Sequence, residues 1–177
     1  ALYHLNIMVK HDDNRVGIGA KALTGEGYKG HSFWDTEMFI LPYFTFTRPE
    51  TARTLLEYRY RNLYGAHLKA KEQGYEGAMY PWECAWVDDG EVTPLYMGAD
   101  VVTGKITKCW TGIIEHHISA DISYAVEQYY LVTGDQDYMN QCGYEIILDT
   151  ALFWASRVEY NQEKDRYEIL DVIGPDE

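Results

Sequence analysis

Residues 114–157 read IEHHISADISYAVEQYYLVTGDQDYMNQCGYEIILDTALFWASR, and this stretch decides the fold. Its apolar residues recur every three or four positions in two runs, which is the spacing of one buried face of an α-helix. Gly134 is a typical helix C-cap and Asp135 a typical N-cap, so one helix ends and another begins there. The runs are Ile114, Ile118, Ile122, Ala125 and Tyr129, and then Met139, Cys142, Ile146, Phe153 and Trp154. The stretch therefore predicts two antiparallel helices and a mainly α fold.

The sequence before this stretch predicts further helices. Pro49 suits a first helical turn, and apolar residues then repeat at helical spacing until Gly74, which predicts one helix. Residues 31–46 predict a helix that stops or kinks at Pro42, and residues 1–11 read as the end of another helix. The predicted helices therefore follow one another with loops between them. No alternation of strand and helix indicates a parallel sheet.

Long loops and one hairpin complete the pattern. Residues 12–30 and 74–110 are rich in Gly and lack a helical period, and loops of such length are often functional. Alternation around a polar turn predicts a short β-hairpin near the C-terminus, within residues 157–170. The helices are expected to present their loops at one end of the molecule.

The composition fits one globular domain or part of a larger one. The chain has 177 residues, of which 46% are hydrophobic and 24% charged, as in soluble globular proteins. A net charge of −13 excludes a general nucleic-acid or anionic-membrane surface, because such surfaces need clustered Lys and Arg. No apolar run approaches the roughly 20 residues of a membrane helix. Neither nucleic acid nor a membrane is therefore expected as a partner.

The N-terminus and the cysteines bear on the setting of the protein. The chain begins at Ala1 without an initiator Met or a basic signal-peptide start, so it is expected to lie inside a longer protein. Three cysteines without C-x-x-C spacing indicate neither a disulfide framework nor a zinc ribbon, and they fit a reduced, cytoplasmic setting. The adjacent His116 and His117 point about 100° apart on a helix, so no metal site is expected there.

Three segments combine Trp or Tyr with carboxylates in or beside loops: HSFWDTE at 31–37, YPWE at 80–83 and GPDE at 174–177. A pyranose has an apolar face, which a Trp ring covers, and a rim of hydroxyls, which donate to a carboxylate. Cleaving a glycosidic bond also needs a carboxylic acid that protonates the leaving oxygen. The three segments together favour a protein that acts on sugars.

Each segment also has a structural interpretation, which the residues leave open. Trp34 and Trp82 would serve equally well in core packing. Asp35 and Glu37 would serve as capping residues at the start of a helix. Glu177 would then be a solvated residue at the end of the chain.

The three segments belong to a series of five ordered blocks that extends over essentially the whole chain. The blocks are GEGYKGHSFWDTE (25–37), YPWE (80–83), EVTP (91–94), EHHISAD with TGD (115–135) and VIGPDE (172–177). This series resembles glycoside hydrolase family 65, the maltose, kojibiose, trehalose and nigerose phosphorylases. The resemblance implies an (α/α)6 barrel, a toroid of inner and outer helices with the active site at one end. Residues 1–177 would form the N-terminal half of that catalytic domain.

The resemblance also implies a reaction and its residues. It implies inverting phosphorolysis of an α-linked glucose disaccharide to β-glucose 1-phosphate and glucose. No cofactor is expected, and inorganic phosphate is a co-substrate. Because phosphate is also the nucleophile and is already anionic, no catalytic base is needed. The phosphate-binding block would lie beyond the last residue. On this pattern Glu177 is the general acid, and the substrate-binding residues are Trp34, Asp35, Trp82, Glu83 and His117, with His116 as the alternative to His117.

Three positions depart from the family's usual pattern. Ala22 stands where Gly is usual, Cys84 where Ser is common, and His116 where Gln is common. These changes leave the family resemblance in place but affect the details of the sugar subsites. The isolated 177-residue segment is expected to be inactive, because half of the barrel and the phosphate-binding residues would be missing. The full-length protein is expected to form a homodimer.

Two other functions fit part of the same pattern. An inverting, glucoamylase-like hydrolase on the same barrel would use a second carboxylate to activate water. A non-catalytic sugar-binding module would explain the aromatic residues but not the GPDE block. Among the disaccharides, maltose is the weak preference, and kojibiose, nigerose and trehalose remain open, because linkage specificity depends on loops that include residues 84–106.

Overall fold

A computed structural model describes residues 2–175, so the predicted general acid Glu177 lies outside the described residues. Helices make up most of the regular structure in this range. The α-helices are α1 (Leu2–Ile7), α2 (Leu41–Thr47), α3 (Pro49–Arg61), α4 (Leu63–Glu72), α5 (Thr111–Ile114), α6 (Ile118–Thr133), α7 (Gln136–Tyr138) and α8 (Tyr144–Arg157). The prediction of a mainly α fold is therefore confirmed.

Two antiparallel hairpins accompany the helices. Strands β1 (Tyr96–Ala99) and β2 (Ile106–Lys108) form one, and β3 (Glu159–Asn161) and β4 (Arg166–Glu168) form the other. The second hairpin lies where the alternation predicted it. The first lies inside residues 74–110, for which no regular structure was predicted. Its strands are almost entirely exposed, so no apolar face marks them in the sequence.

The core lies where α2, α3, α6 and α8 meet. Each of these helices turns one apolar face inward, and burying a large side chain contributes about 1.5–3 kcal/mol. Prominent members of this core are Leu41, Phe44, Leu55, Leu56, Ile118, Ile122, Val126 and Ile146. Helix α6 ends at Gly134 in the left-handed conformation, and the Asp135 side chain accepts a hydrogen bond from the Tyr138 amide. Both predicted caps are thus present.

The helix predicted from Pro49 to Gly74 is in fact two helices, broken at Asn62. The Asn62 backbone has a ψ of −1°, and its side chain donates to the Tyr58 carbonyl at 2.7 Å. This side chain competes with the backbone for a helical acceptor. The break precedes Gly65, where a Cβ would lie 1.9 Å from the carbonyl oxygen of Asp89. Glycine at this position therefore lets the loop after Trp82 pack against α4.

The helix before Pro42 does not stop there. A π-helical turn, Thr36–Ile40, leads directly into α2, and Pro42 occupies the first turn of that helix. A proline is tolerated in a first turn because its missing N–H would have no helical partner. The irregularity therefore lies just before Pro42, in the π turn that follows Trp34 and Asp35.

Candidate active site

Three of the predicted substrate-binding residues line one pocket. Trp34, Asp35 and Trp82 meet around a pocket of about 250 Å³, and Tyr28 and Pro175 also line it. Pro175 stands two positions before the predicted acid. The pocket thus brings the blocks at 25–37 and 80–83 together with the block at 172–177, which are separated by long stretches of sequence.

Trp34 and Asp35 are placed by the π turn that follows them. The amides of Glu37 and Met38 both donate to the Trp34 carbonyl, at 3.0 and 3.2 Å. Asp35 stands at the N-cap position, but its side chain makes no capping hydrogen bond. The structure therefore does not use Asp35 as a helix cap, and its carboxylate lines the pocket instead.

Glu37 is not a capping residue either, because it forms a buried ion pair with Arg59. The Arg59 guanidinium donates to both Glu37 carboxylate oxygens, at 2.8 and 2.7 Å. It also donates to the Phe33 carbonyl at 2.9 Å and to the Cys84 sulfur at 3.0 Å. One arginine of α3 thus holds the residue before Trp34 and the residue after Glu83.

A backbone bridge reinforces this link. The Ser32 amide donates to the Cys84 carbonyl at 2.8 Å, and the Cys84 amide donates to the Ser32 carbonyl at 3.0 Å. Burial raises the pKa of the Cys84 thiol to about 11, although the Arg59 charge opposes that rise. Cys84, which stands where the family commonly has Ser, is therefore a neutral acceptor for Arg59.

The loop that carries Trp82 and Glu83 is organised by the Glu91 carboxylate. The amides of Trp82 and Glu83 donate to it at 2.8 and 3.1 Å. Thr93 donates through its amide and its hydroxyl, and the Lys69 ammonium donates at 2.5 Å. The Lys69 side chain is only 2% exposed. A buried cation and a carboxylate on different elements thus hold the backbone of both predicted subsite residues.

Glu83 does not stand among the described residues that line the pocket. Its carboxylate lies 3.7 Å from the His31 ring nitrogen Nδ1. Burial is the largest influence on Glu83 and raises the pKa of its carboxyl, while His31 opposes the rise and Glu91 adds to it. Glu83 is therefore adjacent to Trp82 in the chain, and its carboxylate faces His31.

His117 packs beneath both tryptophans. Its ring meets Trp34 edge-on at a centroid distance of 4.8 Å and Trp82 at 6.3 Å. Its nitrogens contact Asp121 at 2.5 Å and Glu115 at 3.1 Å. Burial alone would lower the pKa of His117, but the hydrogen bonds to these two carboxylates outweigh burial and raise the pKa to about 9. A protonated His117 thus packs against two of the rings that line the pocket.

His116 faces the opposite way. Its Nδ1 accepts from Arg157 at 3.1 Å, and its Nε2 lies 3.0 Å from the Ile113 carbonyl. Burial lowers the pKa of His116 to about 4, so the ring is neutral, with its proton on Nε2. Of the two histidines, His117 is the one that contacts the pocket tryptophans.

Sequence reasoning missed Tyr28, Arg59 and Glu91 as parts of this region. Tyr28 belongs to a quoted block, but no pattern distinguished it from the surrounding loop. Glu91 belongs to the quoted EVTP block, but nothing in the sequence showed that it holds the Trp82 loop. Arg59 gave no signal because its partners lie 22 to 26 residues away. Among residues 2–175, no group of three or more His, Cys, Asp or Glu side chains is placed to hold a metal ion. No helix in the same range is long and apolar enough to cross a membrane.

A helical scaffold whose loops form a pocket of aromatic rings and a carboxylate has the make-up of a carbohydrate-active protein. The family description "Glycosyl hydrolase family 65 central catalytic domain" matches residues 1–177. The chain therefore belongs to glycosyl hydrolase family 65.

Individual relatives agree with this assignment. The chain is 59% identical to a kojibiose phosphorylase of Halothermothrix orenii over all of this chain and 23% of that protein. It is 42% identical to a kojibiose hydrolase of Flavobacterium johnsoniae, over 99% of this chain and 24% of that protein. A solved structure described as a putative kojibiose phosphorylase from human microbiome superposes with a TM-score of 0.84 at 30% identity, covering 99% of this chain and 21% of that one. The chain thus spans about a quarter of the length of these relatives.

Proposed function

We propose that residues 1–177 form the N-terminal half of the catalytic domain of an inverting disaccharide phosphorylase built on an (α/α)6 barrel. The observation that carries this proposal is the pocket in which Trp34, Asp35 and Trp82 meet Pro175. The match of the whole chain to the family supports it. Large apolar residues on the surface, such as Phe46 at 74% exposed and Leu148 at 64% exposed, fit a chain that packs against further helices.

The pocket residues suggest a division of labour. Trp34 and Trp82 cover the apolar faces of the sugars, and Asp35 accepts hydrogen bonds from the hydroxyls of the non-reducing glucose. His117 keeps both tryptophans in place from below. Glu83, which follows Trp82 in the chain, would contact the sugar of the neighbouring subsite.

The reaction needs one protein acid. Glu177 donates a proton to the glycosidic oxygen while a phosphate oxygen attacks the anomeric carbon from the opposite face. The bond from the anomeric carbon to the leaving oxygen breaks, its electron pair stays on that oxygen, and β-glucose 1-phosphate and glucose result. As the acid, Glu177 must be protonated near neutral pH, and apolar surroundings and a nearby phosphate anion are the influences that would raise its carboxyl pKa.

We propose kojibiose as the disaccharide, in place of the weak preference for maltose. The support is the identity of 50–59% to four relatives that are named kojibiose phosphorylases. Nigerose is the next choice, since a nigerose phosphorylase is 42% identical. Loop residues 84–106, with the exposed β1–β2 hairpin, lie beside Trp82 along the chain and would contact the second sugar.

A phosphorolysis panel tests the proposal. The full-length protein is incubated with kojibiose, nigerose, maltose and trehalose, with and without phosphate, and glucose 1-phosphate and glucose are measured. We expect phosphate-dependent release of glucose 1-phosphate from kojibiose, and loss of turnover with retained binding in Glu177→Gln. Phosphate-independent release of glucose would instead identify a hydrolase, and two of the relatives are named a kojibiose hydrolase and a glucosidase. Binding without any turnover would identify a sugar-binding module.

A further inference from the structure

We propose that Tyr28 is a further substrate-contacting residue, whose ring forms a wall of the pocket against the glucosyl unit. This inference rests on the proposed function of the pocket. Tyr28 lines that pocket together with Trp34, Asp35 and Trp82. Its side chain is 51% exposed, so the ring is not needed to fill the core.

The backbone at Tyr28 is held in an unfavourable conformation. Tyr28, Lys29 and Gly30 have φ values of 60°, 55° and 78°, so three consecutive residues are left-handed. Glycine adopts this conformation readily, whereas Tyr and Lys adopt it at a cost. A loop with five glycines between residues 17 and 30 nevertheless has Tyr and Lys at two of the three left-handed positions. Strain of this kind concentrates at functional sites.

The left-handed turn has a definite effect on the ring. It reverses the chain, so that the His31 amide donates to the Tyr28 carbonyl at 2.8 Å. The Tyr28 ring then meets Phe33 edge-on at a centroid distance of 4.9 Å, and Phe33 meets Trp82 edge-on at 5.5 Å. The three rings form a continuous series along the pocket wall, with Tyr28 at its exposed end.

The chemistry of the ring suits a sugar. A tyrosine presents an apolar face to the C–H groups of a pyranose and a hydroxyl that hydrogen-bonds at its rim. Lys21 also lines the pocket, with its ammonium 5.7 Å from the centre of the Tyr28 ring. Tyr28 thus adds a tyrosine ring to a pocket that Phe33, Trp34 and Trp82 also line.

Two matched glycine variants of the full-length protein separate the ring from the turn. Tyr28→Gly removes both the ring and the strain, whereas Lys29→Gly removes the same kind of strain at the next residue and keeps the ring. We expect Tyr28→Gly to raise the disaccharide KM on the order of tenfold, with kcat and the phosphate KM within about twofold. Lys29→Gly should leave all three constants unchanged, and neither variant should melt below the wild type.

Two results would overturn the proposal: a wild-type disaccharide KM in Tyr28→Gly, or an equal rise in Lys29→Gly. Tyr28→Phe should stay within about threefold of the wild type, because it keeps the ring; a loss as large as that of Tyr28→Gly would refute contact through the ring face. If the wild type shows no turnover, the proposed function fails. Tyr28 is then tested by kojibiose titration followed through tryptophan fluorescence, where Tyr28→Gly must weaken binding and Lys29→Gly must not.

Discussion

Replacing Glu91 with Gln would test how the pocket loop is held, because the substitution changes one oxygen of a carboxylate to an NH2 group. One Glu91 oxygen accepts from Trp82 and Lys69. The other accepts from the amide of Glu83 and from the amide and hydroxyl of Thr93. Whichever way the new amide turns, its NH2 faces at least two donors. The variant therefore cannot keep the network by flipping its side chain.

The magnitude follows from the smaller of these losses. A buried donor left without an acceptor costs about 1–3 kcal/mol, and more when it is charged. In one orientation the Lys69 ammonium, whose side chain is 2% exposed, and the Trp82 amide lose their acceptor. In the other orientation the three donors of Glu83 and Thr93 lose theirs. We therefore expect a loss of about 2–5 kcal/mol in the free energy of unfolding of this part of the protein.

Thermal denaturation and kinetics of the full-length protein would measure this effect. A long protein does not unfold in two states, so the observable is the apparent Tm. At about 2–4 °C per kcal/mol for a unit of 150–250 residues, Glu91→Gln should lower the Tm by about 4 °C or more. The disaccharide KM should rise, because the Trp82 backbone loses its anchor.

Two variants serve as controls for Glu91→Gln. The same substitution at exposed Glu163 should leave the Tm unchanged, since surface replacements usually change stability by less than about 0.5 kcal/mol. Adding Lys69→Met to Glu91→Gln should recover part of the loss, because the buried ammonium is then absent. If Glu91→Gln melted with the wild type and kept its KM, the carboxylate would not be what holds the loop.

Three further predictions concern the framework around the pocket. Cys84→Ser should be tolerated, because a hydroxyl accepts from Arg59 as the sulfur does. Cys84→Ala should cost about 1–3 kcal/mol in stability and so lower the apparent Tm. The two histidines should act in opposite pH ranges. The pKa of His117 is raised to about 9, so His117 stabilises the fold below pH 6.5 and loses this effect as the pH rises toward 9. The pKa of His116 is lowered to about 4, so His116 stabilises the fold above pH 6.5 and loses this effect as the pH falls toward 4. In Tm measurements across this range, His117→Gln should flatten the alkaline side and His116→Gln the acid side; unchanged profiles would refute both assignments. Asp135→Ala removes an N-cap and should lower stability by about 1–2 kcal/mol, with no change in the disaccharide KM.

The features that sequence reasoning predicted are those that local residues determine. The apolar spacing from Ile118 onward predicted α6, and Gly134 and Asp135 predicted its end and the next start because both act within one turn. The break at Asn62 was missed because it depends on one side-chain hydrogen bond to a carbonyl four residues back. A helical period alone does not distinguish that competition from a continuous helix.

The pocket shows the same division. Trp34, Asp35 and Trp82 were assigned to a sugar site through the family resemblance, because residue chemistry alone left core packing and helix capping open. Their meeting in one pocket depends on the Ser32–Cys84 bridge and on Arg59, which are long-range contacts. Sequence spacing carries no information about such pairings, so they could be established only from the structure.

The short break between α5 and α6 links the two sides of the candidate site. His117 supports the pocket tryptophans, while His116 accepts from Arg157, and Arg157 also donates to the Leu170 carbonyl. The Ile173 amide donates to the Ile114 carbonyl at 3.1 Å, just before this break. The segment that leads to Pro175 is therefore fixed to Ile114 and, through Arg157, to His116, which lie close to His117 in the chain. His116 and His117 face opposite ways at the start of α6. A shift of that start would therefore move the tryptophans, through His117, together with the segment before the predicted acid, through His116 and Arg157.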